Sequence, residues 1–143
     1  MIRALRYAWA APATLVGLAS AAVAMGAGAH ARRVDGVLEI GGGRVGRWMR
    51  PHAGVLRFSA ITFGHVVLGR DDATLARLRA HEHVHVRQYE RWGVLFFPLY
   101  LASSAWQWAR GRDAYRDNRF EKEAFAEAAR AEVRSRRTCD TTP

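Results

Sequence analysis

Tyr7 to Ala29 form a run of 23 residues without a formal charge, bounded by Arg3 and Arg6 before it and Arg32 and Arg33 after it. Lipid or a protein core would force such a run to satisfy its own peptide groups, so it is expected as a helix. At 1.5 Å per residue it reaches about 34 Å, enough to cross a hydrocarbon layer of about 30 Å. Ten Ala and three Gly keep it only moderately hydrophobic. Two roles fit: an uncleaved membrane anchor over residues 1–31, or a secretory signal peptide with Ala29-His30-Ala31 as an Ala-x-Ala cleavage site. Two Arg precede the run, whereas Arg32, Arg33, Arg44, Arg47 and Arg50 follow it. For a single-pass protein that bias places the following domain on the cytoplasmic side; cleavage would instead make it secreted or periplasmic.

The 143 residues suit one domain with a modest core, expected over residues 32–136 with a disordered tail at 137–143. Net charge is +9, carried by 21 Arg and Lys122. The Arg residues are scattered, no nucleic-acid motif is present, and no nucleic-acid partner is expected; a solvated or membrane-facing basic surface accounts for the charge. Cys139 is the single cysteine, so no internal disulfide can form.

Val34, Val37, Leu38 and Ile40 suggest a short strand, with Gly41 to Gly43 as a turn. Arg57 to Leu68 reads as one bent strand or two short ones around Gly64. Asp71 or Asp72 can cap a helix running from about Ala73 to Arg91. Trp92 to Ala109 is a second uncharged run, of 18 residues, with Trp92, Trp106 and Trp108 at its ends. It fits a core helix or a membrane segment, started or kinked at Pro98. Phe120, Ala124, Phe125, Ala128 and Ala131 mark a third helix over 118–134. The expected fold class is α+β: an N-terminal transmembrane helix, then a small domain with a few strands and about three helices.

Residues 81 to 85 read His-Glu-His-Val-His and contain His-Glu-x-x-His. His81 and His85 stand four apart, on one helical face, where two imidazoles can grip one tetrahedral metal ion. Glu82 is then placed to act as general base on a water at that ion. His83 points elsewhere and is expected in solvent. A catalytic site needs a third protein ligand and an open position. A His six residues beyond the second, as metzincins have, is excluded because Arg91 is there. Glu90 lies on the wrong side of its own helix, so the ligand must come from another element; the last helix offers Glu121, Glu123 and Glu127.

Phe120-Glu121-Lys122-Glu123-Ala124 resembles the Phe-Glu-x-x-Ala signature of the HtpX-type membrane metallopeptidases, which are gluzincins. The segment from His81 to Glu90, with His-x-x-Gln, also resembles small bacterial proteins of the zincin type. The resemblance covers two helices. It departs at Phe125, where the peptidases carry Asp, and in the shortness of the chain. It implies metal ligands His81, His85 and Glu121, one Zn²⁺, Glu82 as the catalytic base, and a peptide or protein substrate. His65 or Tyr89 would stabilise an oxyanion, Asp117 would orient a ligand His, and the strand between Ile61 and Val67 would pair with an extended peptide. One condition follows: if residues 92–109 crossed a bilayer, the His pair and Glu121 would lie on opposite sides.

The function expected is therefore a zinc-dependent, membrane-associated metallopeptidase. The alternative is a non-catalytic membrane protein whose His/Glu cluster binds metal for structure or sensing. A basic lipid or nucleic-acid binder, third, would show affinity that collapses with salt and ignores chelators.

Overall fold

A computed structural model of the chain describes residues 2–49 and 59–140; Arg50, Arg57 and Phe58 lie outside the described residues. The fold is α+β: an N-terminal apolar helix, a four-stranded mixed sheet and further helices. α1 (Ile2–Gly26) leads into β1 (Ala29–Val34) and β2 (Val37–Gly42), an antiparallel hairpin. Asp35 and Gly36 close it with φ of 50° and 86°, the left-handed conformation that Asp-Gly favours in a two-residue turn. The expected single strand from Val34 to Ile40 is thus split. Gly41 and Gly42 end β2, and Gly43 begins the short helix α2 (Gly43–Trp48). β1 has exposed side chains along its middle and no apolar alternation, which hides it in the sequence; His30, Arg32 and Arg33 give it the polar character of an edge strand. The expected boundary between residues 31 and 32 falls inside this strand.

β3 (Ala60–Phe63) and β4 (Val66–Gly69) are two short strands joined by Gly64 and His65. Gly64 has φ +59°, and a Cβ there would meet the Thr14 backbone nitrogen at 2.6 Å, so a side chain is excluded twice over. The sheet order is β1-β2-β4-β3, with β4 parallel to β2 and with β1 and β3 as its edges among the described residues.

The sheet lies between two helices. Ala21 and Ala24 of α1 cover Ile40, Val66 and Leu68 on one face. On the other, Leu75 and Val86 of α3 (Asp72–Trp92) pack on Val37 and Val67. α3 starts at Asp71, whose carboxylate accepts from the Thr74 backbone N–H at 2.7 Å. On the α3 side of β2, Glu39 is buried and held by Arg79 at 2.7 and 3.0 Å and Arg32 at 2.8 Å.

A 3-10 turn (Gly93–Leu95) follows, then α4 (Phe96–Ala109) with Pro98 in its first turn, where a missing N–H is tolerated. α4 has 14 residues, or about 21 Å, too short to cross a hydrocarbon layer of about 30 Å. α5 (Arg119–Asp140) runs past the point where the sequence suggests a disordered end; Arg136 and Arg137 suit the negative end of a helix. Among the described residues one helix is long and apolar enough to cross a membrane, over Leu5–Gly26.

Candidate metal centre

α3 places His81 and His85 one turn apart on the face towards α5, and α5 brings Glu121 against them. The register of α5 is set at its start. Asn118 is fully buried, its Oδ1 accepts from Phe120 N–H at 2.9 Å, and its amide donates to the Tyr100 carbonyl at 3.0 Å and Ser104 Oγ at 2.7 Å. That clasp ties α4 to the first turn of α5, three residues before Glu121.

The two His Nε2 atoms lie 3.1 Å apart. His81 Nε2 is 3.1 Å from Glu121 Oε2, and His85 Nε2 is 3.3 Å from Glu121 Oε1. Donors bound tetrahedrally at about 2.0–2.1 Å from one zinc would sit about 3.3 Å from one another, so these spacings fit one small ion. All three side chains are buried, and Glu121 Oε2 is enclosed without a hydrogen bond. A cation at their shared point would satisfy that oxygen and the facing nitrogens together. The buried group His81, His85 and Glu121 can therefore hold a metal ion.

Gln88 selects the tautomer. Its amide nitrogen donates to the Phe120 carbonyl at 3.1 Å and to Glu123 Oε2 at 3.0 Å, which turns its oxygen towards His85 Nδ1 at 2.8 Å. His85 Nδ1 must then carry a proton, leaving the Nε2 lone pair for the metal position. Burial alone would push the His85 imidazole down, but the bonded Glu121 and the charge of Glu82 push it above its ordinary value. Burial likewise works to raise Glu121; the contacts with His81 and His85 and the Tyr100 hydroxyl outweigh it and hold the carboxyl down at about 2. The pocket favours positive charge at the shared point.

Tyr100 Oη donates to Glu121 Oε1 at 2.8 Å. Burial, then the Glu121 charge, pushes both the Tyr100 and Tyr115 phenols well up, so both stay protonated donors. Glu82 is buried and accepts from Thr62 Oγ1 of β3 at 2.7 Å. A cavity of about 260 Å³ opens over this group, with Ala60 to Phe63 on one side and Phe96, Phe97, Tyr100 and Leu101 on the other.

Other expected residues lie elsewhere. His65 is buried between Thr14 (3.2 Å) and Glu90 (3.2 Å), with Tyr7 stacked at 4.0 Å, and does not line the cavity; Tyr89 does. Asp117 pairs with Lys122 at 2.8 Å rather than with a ligand His, because the turn before α5 aims it outward; Gln88 does that work. Glu127 pairs with Arg87 at 2.6 Å. His83 is half-buried rather than solvent-facing, and burial lowers its pKa. Thr62, Tyr100 and Tyr115 carried no sequence signal: Tyr100 lies inside an uncharged run and reads as core or membrane, Tyr115 stands among the charges of Arg112 to Asp117 and reads as a loop residue, and Thr62 reads as an ordinary strand residue. Gln88 did carry one, as His-x-x-Gln.

A buried His₂Glu group with a neighbouring carboxylate over an edge strand defines the class of site. The chain matches no family model, no curated protein and no solved structure.

Proposed function

We propose that the protein is a zinc-dependent, membrane-associated metallopeptidase of gluzincin type, hydrolysing peptide bonds in the cavity beside β3. The observation that carries this is the placement of Glu82, a buried carboxylate next to the His81–His85–Glu121 group and in the same cavity. A zinc ion held by those three residues would supply Lewis acidity, activating water and polarising a carbonyl. Glu82, fixed by Thr62, takes a proton from the attacking water and returns it to the leaving amine. β3, one of the two edge strands of the sheet among the described residues, offers its backbone to an extended substrate. The protonated Tyr115 and Tyr100 phenols line the same space, Tyr100 with its hydroxyl donating to Glu121.

One observation favours the non-catalytic alternative. Where the HtpX-type peptidases carry Asp, Phe125 lays its ring 4.7 Å from that of His81 and offers it no acceptor. Glu82→Gln separates the two. An enzyme keeps its metal and loses hydrolysis by about 10²–10⁴-fold; in wild type, absence of any hydrolysis of a peptide library by the metal-loaded chain supports the structural or sensory role.

A further inference from the structure

α1 presses one narrow stripe of small residues onto the rest of the protein. Ala10 packs with Tyr89, Phe96 and Phe120. Thr14 Oγ1 accepts from the His65 backbone N–H at 3.2 Å. Gly17 sits so close that a Cβ there would come 2.7 Å from Val66 Cβ and 2.8 Å from the Phe63 carbonyl oxygen. Ala21 and Ala24 cover the sheet. From Ala10 to Ala24 these contacts extend over about 21 Å of helix axis. If α1 stood across a bilayer, the sheet beneath it would lie at hydrocarbon depth. The open edges of β1 and β3 and the Glu39–Arg79 pair would there be cut off from water, which a lipid-embedded sheet does not tolerate. Yet the outer face of α1 is apolar and exposed, with Leu5 at 71 %, Leu15 at 65 % and Val23 at 72 %.

That face does not stop at α1. Trp9 meets Gly93, and beyond it Val94, Leu95, Phe97 and Leu101 are exposed, with Trp106 and Trp108 exposed further along α4. Arg110 lies 4.3 Å over the Trp106 ring, the aromatic-and-basic pairing suited to a headgroup layer. The net charge of +9 adds attraction to anionic lipid.

We propose that α1, the Gly93–Leu95 turn and α4 form one in-plane membrane face, on which the chain rests at the surface of a bilayer containing anionic lipid, with α1 along the surface instead of across it. The proposal does not depend on the metal. Phe97 and Leu101 belong both to this face and to the cavity wall, so the cavity opens beside the lipid.

Ala8, Leu15 and Ala22 are exposed and lie seven residues apart, on one stripe of α1. The test places a spin label on the full chain at Ala8→Cys, Leu15→Cys or Ala22→Cys, in a Cys139→Ser background, and measures label depth in phosphatidylcholine–phosphatidylglycerol vesicles. The expected result is one shared shallow depth for all three. A depth that changes by about 10 Å from each label to the next overturns the proposal in favour of a crossing helix. Labels left in water beside vesicles make α1 only a covering helix and overturn it too. Labels shielded without vesicles, in a dimer, assign the face to a second copy of the chain and equally overturn it.

Discussion

Gln88 decides which nitrogen of His85 faces the metal position, because its own nitrogen is committed to Phe120 and Glu123. Replacing Gln88 with Leu frees the imidazole to take the other tautomer, and metal affinity is expected to fall about 10–100-fold. Competition with a chelator of known affinity measures this; unchanged affinity would remove Gln88 from the site. Glu39 acts on the fold. Burial tends to raise its carboxyl, and the Arg79 and Arg32 guanidiniums bring it below the 4.5 of an unfolded chain. A lowered folded-state pKa means that this contribution to stability is present above pH 4.5 and is lost as pH falls through the folded value. Urea midpoints between about pH 6 and 3 should therefore fall less steeply for Glu39→Gln than for wild type. Equal slopes would assign the acid sensitivity to other carboxylates.

At the scale of elements, what was legible followed from period and spacing. His81 and His85 at four residues, with Leu75 and Leu78 before them, define a helical face wherever they occur, and α3 begins and ends within a residue or so of its sequence limits. Glu121 became visible by resemblance and not by periodicity, since Glu123 and Glu127 occupy the same helix. β1 was illegible because an edge strand with exposed side chains leaves no alternation, and its first residue, Ala29, ends the uncharged run. The clasp at Asn118 was illegible because its partners are backbone and hydroxyl groups on α4, 14 to 18 residues away. Asn118→Ala should cost about 1–2 kcal/mol in helix capping and buried hydrogen bonds. It should also loosen Glu121, giving weaker metal binding than the stability loss alone explains. Gly64→Ala, strained at φ +59° and driven into Thr14, should cost about 3 kcal/mol. A chemical denaturation midpoint equal to that of wild type would contradict the close approach of α1 to the β3–β4 turn.

For the whole molecule, the long uncharged run has two duties where its composition suggests one. Its small residues cover a sheet face and its large ones point outward, and no count of charges separates those faces. A chain beginning at Arg32 would lack both α1 and the first half of β1, exposing Ile40, Val66 and Leu68. It should lose near-ultraviolet circular dichroism and aggregate; a soluble, folded truncation would show that α1 is dispensable. The second uncharged run, ambiguous in the sequence, holds a 3-10 turn and the short helix α4, whose start and middle serve one site: Phe96 and Tyr100 flank His85, and Ser104 anchors Asn118. Convergence of α3 and α5 on a shared point thus makes the candidate metal site. The most direct measurement is the metal content of the full chain, purified folded and dialysed after exposure to zinc, beside His85→Ala and Glu121→Ala. About one ion per wild-type chain is expected, lost in both variants. A folded wild-type chain without metal, or a Glu121→Ala chain that holds its ion as tightly as wild type, would contradict it.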